Sequence, residues 1–221
     1  MSAVTTFQAL LPVWQNAQDP MHTTLRWGNF PQYGQSLLKH ANSFPLVGRW
    51  TTAVVRQSGQ SLDYELLYDC FQLHDHGEPL TGGDEHAYNK TADKEQREWE
   101  AFRRLTAGLP PELQVPWRRA FALQYVRKPG VLLPEPDRSL VQLLSETHRV
   151  EAIVFDFSER LDYLFSGYEG HQRKIQSPAE HMINHVFERQ APKLDGLAGE
   201  LPALAQIWSP ELRQFFADKC S

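Results

Sequence analysis

The sequence predicts an all-α fold. Apolar residues recur at spacings of three and four from residue 37 onward, which is the helical period. No segment alternates apolar and polar residues with hairpin chemistry at its end. Proline and glycine punctuate the chain where helices begin and stop: Pro178 and Pro210 at first turns, Gly108 and Gly167 at ends. At 221 residues the length suits one domain with a good core.

The elements follow in order. Phe7, Leu10, Leu11 and Trp14 predict a first helix, bent by Pro12 and closed by Asp19-Pro20. Residues 21–35 read as an aromatic loop lying over the body of the domain. Ser36 caps a helix carrying Leu37, Leu38, His40, Phe44, Val47 and Trp50, with a kink expected at Pro45. Ser58-Gly59-Gln60 is a turn, and Ser61 caps the apolar helix that stops on His74-Asp75. A charged helix spans Glu85 to Ala107, and the run 90–104 reads as its solvated face. Residues 112–127 form another amphipathic helix, followed by a Pro/Gly loop from Lys128 to Pro136. Asp137 caps a long helix running through Leu144, Val154 and Leu164. Two shorter helices, near Pro178–Arg189 and Pro210–Lys219, complete the chain.

Composition narrows the function. Twenty-two basic against 27 acidic residues give a net charge of −5. That lacks the cationic footprint of a nucleic-acid-polymer binder, yet leaves room for a small phosphorylated substrate held by one or two arginines. Cys70 and Cys220 are too few for a disulfide framework, so a cytoplasmic location is expected. The first residues carry no basic stretch of the kind that opens a signal peptide, and no apolar run reaches the ~20 residues that span a bilayer.

The chemistry gathers at Leu73-His-Asp-His-Gly-Glu-Pro-Leu-Thr-Gly-Gly-Asp84. An apolar helix ends on His74-Asp75 and opens into Gly-rich backbone. Ionised groups beside a core need a partner, and a metal ion is a strong one. His40 lies on the preceding helix. His148 and Glu151 lie further on, one helical turn apart. Imidazoles with one carboxylate suit a divalent transition metal that keeps positions open.

This order resembles the HD-domain metal-dependent phosphohydrolases, with the nearest likeness to the bacterial 5′-deoxynucleotidase-like group. That group has an Arg-Trp pair ahead of the first His, matched by Arg26-Trp27 before His40. It follows His-Asp with a Glu three residues on and a Leu-Thr-Gly-Asp string. Here the string runs Glu78-Pro79-Leu80-Thr81-Gly82-Gly83-Asp84, with one extra Gly. Its last ligand is an Asp in a pattern that Thr147-His148-Arg149-Val150-Glu151-Ala152-Ile153 matches, except that His148 replaces the Asp. The resemblance implies one HD-type domain over 1–221, with a core of about 25–165 and C-terminal helices 171–221 packed on it.

It implies His40, His74, Asp75 and His148 as ligands of one divalent ion (Mn, Co, Zn, Fe, Ni or Mg), with Glu151 the alternative to His148. Glu78 would move protons and Asp84 would position water. Arg26 and Trp27 would bind a substrate such as a nucleoside monophosphate. Relatives often pair as dimers, which leaves a homodimer open. An iron oxygenase on the same scaffold and a non-catalytic nucleotide-binding module are the alternative readings.

Overall fold

The computed structural model describes residues 21, 37–81, 91–128, 130–172 and 178–219, without the side chains of 37–39, 170–172 and 178–185. The expected helix from Phe7, Arg26-Trp27 and Asp84 lie outside the described residues. All regular structure among the described residues is helical. The helices are α1 (Leu37–Gln57), α2 (Tyr64–Leu73), α3 (Ala92–Thr106), α4 (Pro111–Leu123), α5 (Asp137–Thr147), α6 (Arg149–Gln172), α7 (Pro178–Glu200) and α8 (Pro210–Lys219). Short 3-10 turns cover Glu78–Thr81 and Pro202–Gln206. The chain forms two compact units: Met1–Ser43 with Tyr64–Arg149, and Phe44–Asp63 with Val150–Ser221.

The first unit contains α2 to α5. α2 is only 10 residues long, too short to hold itself in water, so packing must hold it. Leu66, Leu67, Cys70, Phe71 and Leu73 are buried, and α2 packs on α4. α3 is capped by Thr91, whose hydroxyl accepts the Lys94 N–H at 3.2 Å. Asp93 and Glu95 in its first turn and Arg103 and Arg104 in its last all favour the helix dipole. Phe102 and Phe121 stack at 3.8 Å, nearly parallel, and Trp99 meets the Tyr125 ring edge-on at 5.4 Å.

Three expectations are corrected here. The helix expected from Asp137 to Leu164 is two helices, which part at His148 (φ −131°, ψ 36°). Asp137 is not a surface cap. Its buried carboxylate accepts Trp99 Nε1–H at 2.8 Å and Arg103 Nη1–H at 3.2 Å, and pairs with Arg118. One carboxylate thus joins α3, α4 and α5. The charged run of α3 is also more than a solvated face: Lys94, only 1% exposed, is buried with Glu95 and Glu98. Arg97 and Asp93 do lie on an exposed side and pair there at 3.1 Å.

In the second unit, α1 continues past Pro45, and the Phe44 ring meets Phe155 edge-on at 5.8 Å. α7 runs on to Glu200, beyond the expected end at Arg189. Trp208 and Phe216 are core residues, whereas Phe215 is 40% exposed. Asp195 accepts the Trp208 indole N–H at 2.8 Å. No helix among the described residues is long and apolar enough to cross a membrane.

Asp137→Ala should lower the unfolding free energy by about 3 kcal/mol, read by denaturant titration. That is the low end for breaking a buried ion pair, because both guanidiniums left behind reach water.

Candidate metal centre

α2 ends where its hydrogen bonding tightens. The His74 N–H still reaches the Cys70 carbonyl at 3.0 Å, as in an α-helix. The His76 N–H then turns back to Leu73 at 2.9 Å, and the Glu78 N–H to Asp75 at 3.1 Å. These shorter loops are 3-10 bonds, common at helix ends. Asp75 lies inside this tightened turn, with its carboxylate 3.2 Å from the His74 ring.

His40, His74 and Asp75 form the group of side chains, among the described residues, whose donors lie close enough to share an ion. The Nε2 atoms of His40 and His74 are 3.3 Å apart. Asp75 Oδ2 is 3.2 Å from His40 Nε2, and Asp75 Oδ1 is 3.2 Å from His74 Nε2. Two donors bound to one ion at about 2.1 Å stand roughly 3.0 Å apart at right angles and 3.4 Å apart at the tetrahedral angle. The Nε2–Nε2 distance falls between those limits, and each imidazole has one Asp75 oxygen at a similar distance, so the residues fit a metal ion on one side with its other positions open.

Local contacts prepare this arrangement. His74 Nδ1 lies 3.2 Å from the Phe71 carbonyl, which can only accept a hydrogen bond. Nδ1 therefore carries a proton, which leaves Nε2 as the ring nitrogen directed at His40 and the one a metal would use. Asp75 Oδ2 is buried and lacks an aligned hydrogen bond despite the nearness of His40. Burial works to raise the Asp75 carboxyl. The facing His74 and His40 rings more than reverse that and hold it well below the usual carboxylate range. Asp75 is therefore ionised at neutral pH. His76 is not among the three residues of the group, and burial pushes its ring down to about 4.

Glu78 opens the 3-10 turn and is buried. That turn packs on α3 through Gly77. A Cβ built there would lie 2.3 Å from the Glu98 carbonyl oxygen. Only glycine lets the His-Asp turn come this close to α3.

His148 does not join the group, which corrects the expectation of a fourth ligand. It sits at the break between α5 and α6 with both ring nitrogens engaged. Its Nε2 is 2.6 Å from Arg119 Nη2, which can only donate, and its Nδ1 is 2.7 Å from Thr147 Oγ1. The Thr147 hydroxyl donates onward to the Leu143 carbonyl at 2.7 Å. The ring is thus a neutral acceptor for Arg119, with no lone pair left for a metal. Glu151, the alternative, is buried and accepts the Asp63 N–H at 2.8 Å. Sequence reasoning missed Arg119, Gly77 and Gln124. The Gly77 signal was present, as a lone glycine two residues after Asp75.

Two outcomes follow. His148→Ala should leave the metal content of the purified protein unchanged by elemental analysis; loss of metal would return His148 to the ligand set. Gly77→Ala should destabilise the fold by about 1–3 kcal/mol, the usual result of overpacking, in a thermal melt.

Comparison with protein-family models, curated proteins and solved structures finds no match for this chain.

Proposed function

We propose that this chain is a metal-dependent phosphohydrolase acting on a small phosphorylated substrate, with nucleoside monophosphates the class to test first. The observation that carries the proposal is the convergence of His40, His74 and Asp75: the two Nε2 atoms lie 3.3 Å apart, and each lies 3.2 Å from a different oxygen of the Asp75 carboxylate. Two imidazoles and a carboxylate converging in a buried site suit a divalent cation. A cation held there would supply Lewis acidity at a phosphoryl oxygen.

The remaining chemistry belongs to the chain. Glu78, buried three residues beyond Asp75, is the group proposed to take a proton from the attacking water and return it to the leaving alkoxide. Arg26 is proposed to fork onto phosphate oxygens, Trp27 to stack on a base, and Asp84 to position water; all three lie outside the described residues. The nucleotide part of the reading rests on the likeness of the His74–Asp84 string to the 5′-deoxynucleotidase-like group. The buried Cys70, which forms no disulfide, fits a reducing compartment such as the cytoplasm.

The test is phosphate release from a panel of nucleoside monophosphates with Mn²⁺, Co²⁺ or Zn²⁺. Turnover of at least one member is expected. With metal demonstrably bound, silence across the panel rejects the nucleotidase reading. Glu78→Gln should lower kcat by roughly 10²–10⁴-fold, the usual worth of a general acid–base group, while metal content stays unchanged. Full turnover in that variant would exonerate Glu78. His40→Ala should lose both metal and turnover.

A further inference from the structure

The backbone of His74 is held from outside its own helix. Its carbonyl lies at the C-terminal end of α2, where carbonyl groups lack helical partners. Gln124, buried at the end of α4, donates its side-chain N–H to that oxygen at 3.0 Å. An amide can face either way, and only one orientation serves this contact. Lys128 fixes it: Nζ donates to Gln124 Oε1 at 3.0 Å, which turns the amide nitrogen toward His74.

Lys128 is itself fixed. Its ammonium lies 2.9 Å from Glu95 Oε2 and 5.0 Å above the centre of the Tyr125 ring. The Tyr125 hydroxyl donates to the Glu95 carbonyl at 3.2 Å. A continuous path of polar contacts therefore leads from Glu95 on α3, through Lys128 and Gln124, to the backbone of a candidate ligand. The His74 ring is held separately by the Phe71 carbonyl. Ring and backbone of this one residue are thus pinned from two directions.

We infer that Gln124 is a positioning residue for the candidate metal centre, oriented by Lys128 and Glu95 so that the His74 Nε2 lone pair meets those of His40 and Asp75. The inference rests on the metal-dependent reading above. Partners beyond the ligands themselves orient them and set affinity, and their removal typically weakens metal binding about 10–100-fold.

The test measures Co²⁺ affinity by competition with a chelating indicator, the visible Co²⁺ spectrum, and the melting midpoint of the metal-free full chain. Gln124→Met keeps length and bulk but cannot donate. It should bind Co²⁺ roughly 10–100-fold more weakly, with a changed visible spectrum. Lys128→Met keeps Gln124 but frees its amide to turn, and should weaken Co²⁺ in the same direction. It also serves if Gln124→Met fails to fold.

Leu144→Ala, a buried position on α5 outside this path, is the control. It should lower the melting midpoint yet leave Co²⁺ affinity within about twofold. Wild-type affinity and spectrum in both Gln124→Met and Lys128→Met would overturn the positioning role and leave the metal reading standing. Equal weakening by Leu144→Ala would also overturn it, as a general effect of instability. Failure of the wild-type chain to bind Co²⁺, Mn²⁺ or Zn²⁺ would overturn the metal reading, and the positioning role with it.

Discussion

Two imidazoles and a carboxylate that would part and hydrate in water are held together inside the first unit, each neighbouring pair of their polar atoms within 3.3 Å. That constraint explains much of what surrounds them. A buried carboxylate beside two imidazoles is stable only if something positive sits among them, a proton or a cation. The end of α2, its tightening into 3-10 bonds and the carbonyl that fixes the His74 tautomer all serve to keep the donors convergent. The aromatic stack of α3 on α4 and the Asp137 junction with α5 supply the rigidity that such convergence needs. Loose elements would let the three side chains part and hydrate.

The fate of His148 changes the electrostatics. A neutral ring that accepts from Arg119 adds no negative charge. On the proposed reading, His40, His74 and Asp75 carry a formal charge of about −1, and a divalent cation would leave the centre positive. Such a centre favours an anionic ligand such as a phosphate and grips its cation less tightly than a set with two carboxylates. Arg119 adds a further positive charge in the same unit.

The sequence made much of this legible, for physical reasons. Helical spacing survives in any solvent-facing bundle, so the all-α reading needed no tertiary information. His74 and Asp75 are neighbours in the chain, and their proximity required only that the helix end there. His148 was harder. Its placement depends on a backbone break at φ −131° and ψ 36°, and no glycine or proline stands at that position to announce it. Asp137 resembled a cap because aspartate commonly starts helices. That three side chains would converge on it from α3 and α4 was not written locally. The charged run misled because polarity was weighed over period. Lys94, Glu95, Glu98, Trp99, Phe102 and Thr106 follow one helical face, and all six are buried. Plotted by spacing alone, they fall on the inner side.

The approach of Gly77 to α3 carries a consequence for how this chain can vary. The nearest atoms are the carbonyl oxygen, carbonyl carbon and Cα of Glu98, not its side chain. Every amino acid at position 98 presents the same three atoms. No second-site suppressor at 98 can therefore make room for a side chain at 77. In a laboratory selection, position 98 should drift in identity while 77 stays fixed, two adjoining sites with unequal tolerance and no covariation between them.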